Sequence, residues 1–203
     1  MYRFTTFLKD LGTIRGALIV SAVLFVLAVA AGWNASQEIQ EILAGEIQAL
    51  AETSQNLSAS DNPELSFFVF IFLNNAIKSL IVMFAGLLLG IIPFVFLAMN
   101  GMVLGFLMEL VRANGGDLNE LIFKGLLPHG IIEIPVLIIA GAYGLMLGAL
   151  VIRSILPGQE KGEALGLKWR TAWKKTGTAS LWILILLFVA AIIESTITLW
   201  LMS

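Results

Sequence analysis

Apolar residues fall into five long runs, at about 14–33, 65–89, 94–110, 128–152 and 178–202, separated by polar stretches. Each run is close to the ~20 residues that carry an α-helix across a hydrocarbon core. The pattern predicts an all-α, polytopic membrane helix bundle, a single domain over residues 1–203 with five transmembrane helices. The stretch 121–152 would be about 48 Å long as one straight helix, too long for a ~30 Å core. A break is therefore expected at Pro128, with 119–127 forming a short interfacial or re-entrant helix and 128–152 the fourth span.

The polar stretches carry their own periodicity. In segment 34–64, Ile39, Ile42, Leu43, Ile47 and Leu50 recur at helical spacing, which predicts an amphipathic helix, and Asn34 with Gln37 three residues on reads as its capping box. In segment 153–177, Leu165, Trp169, Ala172 and Trp173 share a helical face. That spacing predicts a basic interfacial helix ended by Gly177. Ile92-Pro93 and Asn114-Gly115-Gly116-Asp117 read as turns.

Charge then orients the bundle. Arg3, Lys9 and Arg15 precede the first run, and Arg153, Lys161, Lys168, Arg170, Lys174 and Lys175 fill segment 153–177. Segment 34–64 holds Glu38, Glu41, Glu46, Glu52, Asp61 and Glu64 and no Lys or Arg. By the positive-inside rule the N-terminus and segment 153–177 are cytoplasmic and segment 34–64 lies outside, in a multi-pass protein of the cell membrane. Ala28-Val29-Ala30 has the form of a signal-peptidase site, but the run is long for a signal core, so an uncleaved first span is expected. Composition agrees: 59% of residues are hydrophobic, 13% are charged, and mean hydropathy is +0.94. With no cysteine and few cations, all but Lys78 beside span ends or in connecting segments, neither thiolate chemistry nor nucleic-acid binding is expected; the lipid bilayer is the first partner.

Among the polar side chains inside the apolar runs, seven amide, ionisable or imidazole groups lie deep: Asn74, Asn75, Lys78, Asn100, His129, Glu133 and Glu194. Counted from the outer ends at about 1.5 Å per residue, they lie about 8–20 Å deep, in one layer. A buried polar cluster is expected there, because charges inside a membrane face protein or water rather than acyl chains. Small residues let helices close around it: Gly86-xxx-Gly90, Gly101-xxx-Gly105 and Ala140-xxx-Gly144-xxx-Gly148. Gly-xxx-Gly faces beyond those needed for the internal bundle would allow self-association, so a homodimer is expected. In one reading Lys78 pairs with Glu133 or Glu194 and the amides hold helix register; in another the cluster handles protons or ions. His129 and Glu133, one turn apart, have the spacing of two metal ligands, yet a single His and no Cys leave a poor donor set, and no metal or cofactor is expected. With no Ser beside the lone His, no catalytic residues are assigned and an intramembrane enzyme is the weakest reading.

Asn74-Asn75, Asn100-Gly101, Pro128-His129-Gly130 with Glu133, and Ala140-Gly141-Ala142-Tyr143-Gly144 together resemble the stage II sporulation protein M family. The likeness extends over nearly the whole chain, and Pro-His-Gly-x-x-Glu is its most specific element. The resemblance implies a five-span membrane protein acting in engulfment, a non-enzymatic anchor and scaffold for the peptidoglycan-degrading stage II sporulation proteins D and P or other wall-remodelling proteins. A transporter or channel using the polar cluster is the alternative.

Overall fold

The computed structural model describes residues 2–156 and 161–198, apart from the side chains of His129, Ile197 and Thr198. Residues 157–160 of the basic segment and 199–202 of the fifth apolar run lie outside the described residues. The described elements are all helices: α1 (Phe4–Thr13), α2 (Arg15–Trp33), α3 (Gln37–Ser58), α4 (Pro63–Ala85), α5 (Ile91–Ala113), the single turn α6 (Leu118–Glu120) running through a π-helical stretch (Leu121–Leu126) into α7 (Leu127–Ile155), and α8 (Glu163–Ile193), which ends in a second π-helical stretch (Glu194–Thr198). Five of them, α2, α4, α5, α7 and α8, are long and apolar enough to cross a membrane.

The centre of the bundle is α7. Half of its membrane-spanning window is buried in protein, against 22–39% for the other four, so α7 is the helix the others shield from lipid. Val136, Ala140 and Tyr143 of α7 meet Ala76 and Met83 of α4 and Ala179, Ile183 and Leu187 of α8 in the main core. On the other side α2 packs chiefly on α5. The small residues set these distances. A Cβ added to Gly86 would strike the carbonyl of Gly144, and one on Gly148 would strike the backbone of Gly90; on α5, Gly101 would meet Ala28 and Phe25, and Gly105 the carbonyl of Val29. Ala140 is fully buried. Each of these glycines is thus covered within one chain.

Several boundaries differ from those the sequence suggests. The turn between α4 and α5 lies at 86–90, ahead of Pro93, because Leu89 (φ 57°) and Gly90 (φ 77°) take the left-handed conformation that reverses the chain. Pro93 instead sits in the first turn of α5, where its missing N–H costs nothing. Asn34 does not cap α3: its Nδ2 donates to the Ala30 carbonyl and closes α2, while Ser36 stands at the N-cap of α3. Pro128 does not break the chain. The backbone stays helical from Leu118 through Ile155, and the π-helical stretch at 121–126 shifts the hydrogen-bond register just ahead of the proline ring.

Gly177 does not end the basic helix either. Residues 163–193 form one helix of 31 residues, so Lys168, Arg170, Lys174 and Lys175 lie in the first half of α8 and not in a separate element. One glycine costs a helix only about 1 kcal/mol, well within what packing of the flanking turns supplies. Helix α1 was not expected, although Phe4, Phe7, Leu8 and Leu11 repeat at helical spacing. It docks on α8: Trp182 Nε1 donates to the Tyr2 carbonyl, Phe4 and Phe7 flank the Trp182 ring, and Lys175 Nζ donates to Thr13 Oγ1.

Candidate functional site

Helix α3 starts beside the outer end of α2 and returns to the outer end of α4, so both its ends lie on one side of the bundle. It packs across α4 and α5, which touch each other little. Beneath it a cavity of about 550 Å³ opens between α4, α5 and α7, with Leu187 of α8 on its wall.

The polar residues of that cavity come from four helices. Asn74, Asn75, Lys78 and the buried Ser79 lie on successive turns of α4, Asn100 on α5, Glu133 on α7 and Glu46 on α3. Asn74 Nδ2 donates to Asn75 Oδ1 (3.3 Å), and Asn75 Nδ2 donates to Glu133 Oε1 (2.7 Å). Asn100 Nδ2 donates to the Phe96 carbonyl one turn back (2.8 Å), leaving its Oδ1 as an acceptor. Five of the seven side chains singled out in the sequence therefore line one space.

The other two stand apart. Glu194 begins the π-helical end of α8, close enough to Glu133 for the two carboxylates to sense each other's charge, but it does not line the cavity. His129 is on α7 one turn before Glu133, and its side chain lies outside the described residues. Among the described residues no three His, Asp or Glu side chains gather as metal ligands.

The expected ion pair is replaced by a hydrogen bond. No acidic group among the described residues comes within 4.0 Å of Lys78, and its side chain is exposed to the cavity; Glu133 is held by an amide instead. A neutral amide can follow a carboxylate into a low-dielectric wall at little cost, whereas an ammonium carries a large desolvation penalty and stays where there is room for water. Glu46 and Ser79 were not anticipated. Glu46 could have been found: it lies three residues after Leu43 and four before Leu50, which puts a carboxylate on the apolar face of an amphipathic helix.

Outside the spans, charge is arranged locally. Ser36 Oγ donates to Glu38 Oε2 (2.7 Å) in the first turn of α3, and this bond, with the Glu38 backbone N–H, holds the carboxyl below its ordinary range. Lys124 Nζ donates to Glu120 Oε1 (2.8 Å), which raises the lysine above its ordinary value. Arg112 lies over the Trp33 ring and pairs with Glu109, joining the outer ends of α2 and α5.

No curated protein and no solved structure matches the chain. A family model described as Stage II sporulation protein M matches residues 21–199, from α2 across the polar cavity to beyond the end of α8, and the chain accordingly belongs to that family.

Proposed function

We propose that this family member is a non-enzymatic membrane scaffold that holds peptidoglycan-remodelling proteins at the outer face of the cell membrane, with the stage II sporulation proteins D and P as the partners its family points to. The observation that carries the reading is the seating of α3. Leu43 anchors it at 1% exposure, but Ile39 (40%) and Ile42 (64%) remain open and do not line the cavity. The acids around them, with no Lys or Arg in 34–64, fit a partner that presents basic and apolar residues together. The chain has no cysteine, so a single Ile42→Cys substitution gives one defined attachment point. Crosslinking from that position in native membranes, followed by mass spectrometry, is expected to capture a wall-remodelling protein. Failure to capture any such protein, together with solute passage through proteoliposomes of the purified chain, would replace the scaffold with a transporter or channel, the reading that the polar cavity favours.

A further inference from the structure

We propose that the cavity beneath α3 binds a small zwitterion, an amino acid or a short peptide, with its ammonium among the oxygens of Glu133, Glu46 and Asn100 and its carboxylate on Lys78. The inference stands apart from the scaffold reading, since it concerns a solute site inside the chain and not the open Ile39 and Ile42 of α3.

The argument is one of complementary charge. Lys78 sits deep in a spanning helix with no carboxylate partner within 4.0 Å among the described residues, and it is the single cation on the cavity wall. A cation so placed is stabilised by an anion that enters the cavity. The same wall carries acceptors. Glu133 is pinned by Asn75, Asn100 has spent its N–H groups' nearest partner on Phe96 and keeps Oδ1, and Glu46 comes down from α3. An inorganic cation would meet these oxygens but also Lys78, and a simple anion would meet Lys78 but also two carboxylates. A molecule with separate positive and negative ends satisfies both at once. The apolar remainder of the wall, with Leu137 and Leu187, suits a small side chain, and about 550 Å³ lies within the range of pockets that take small molecules.

Alanine and dialanine serve as probes, titrated by calorimetry into the full chain in nanodiscs. N-acetylalanine, which lacks the ammonium, and alanine amide, which lacks the carboxylate, are the controls. Saturable binding of alanine or dialanine is expected, with both controls weaker by about tenfold or more, the scale of one lost charged hydrogen bond. Lys78→Met should remove the advantage of alanine over alanine amide. Glu46→Gln, on an exposed residue whose replacement leaves the bundle core untouched, should weaken alanine while sparing N-acetylalanine. The proposal is overturned if neither probe binds the folded wild-type chain, if either control binds as tightly as alanine, or if both substitutions leave affinity unchanged. Because only purified chain and solute are present, none of these outcomes depends on a protein partner.

Discussion

Glu133 and Tyr143 occupy the same helix and pose opposite problems. Glu133 is served by Asn75, so the two possible ways of breaking the bond are unequal. Glu133→Gln keeps an oxygen that can accept from Asn75 Nδ2, and the variant should fold with a melting temperature near that of the parent. Asn75→Leu strands the carboxylate, and should cost about 1–3 kcal/mol, the penalty for a buried polar group that has lost its partner. Thermal unfolding of the two variants side by side checks the order. Tyr143 is fully buried and its hydroxyl has no hydrogen-bond partner among the described residues. Tyr143→Phe should therefore leave stability unchanged or raise it, again read by thermal unfolding, since the ring keeps its contacts and an unserved hydroxyl is removed. At the start of α3 the sign runs with pH. Glu38 has a folded-state pKa below its unfolded value, so its contribution is complete above the ordinary carboxylate range and is lost as pH falls through the depressed value. The helix content at the start of α3, read by the backbone chemical shifts of Glu38 and its neighbours, should fall on acidification, and Glu38→Gln should abolish that dependence.

Among the helices, packing distances are set by glycine and mobility by how little is buried. Gly105→Ala would drive a methyl group into the Val29 carbonyl, so it should loosen the α2–α5 pair by about 1–3 kcal/mol, the usual cost of overpacking. A melting curve tests the loss, and mass photometry of the same sample should show an unchanged assembly size, because that glycine face is used inside the chain. These contacts were only half legible in the sequence. Small-xxx-small spacing marks a face on which backbones approach, yet it does not say which helix approaches: Gly101 and Gly105 receive α2, while Gly86 and Gly90 receive α7. Helix ends were less legible still. Pro128 and Gly177 are breakers by local rule, but a π-helical turn absorbs the first and packing of the long α8 outweighs the second.

At the scale of the whole molecule the membrane itself makes the fold readable. Without water in the hydrocarbon core every backbone group must be satisfied within its own segment, so each long apolar run reads as a helix, and five such helices are found among the described residues. The candidate site was readable for a related reason. Asn74, Asn75, Lys78, Asn100 and Glu133 are polar groups that lipid would reject, and a shared cavity is where they can all be wet. What composition could not show is the cover: Glu46 belongs to the cavity only because α3 folds back across α4 and α5. The long α8 adds a mechanical property to this arrangement. Its cationic first half and the Leu187 that touches the cavity belong to one rod of 31 residues, about 46 Å at the usual helical rise. A rod transmits tilt without loss of register, so tilting α8 about the contacts of Ala179 and Ile183 with α7 would carry Leu187, and with it the cavity wall, in step with the Lys168 and Lys175 end.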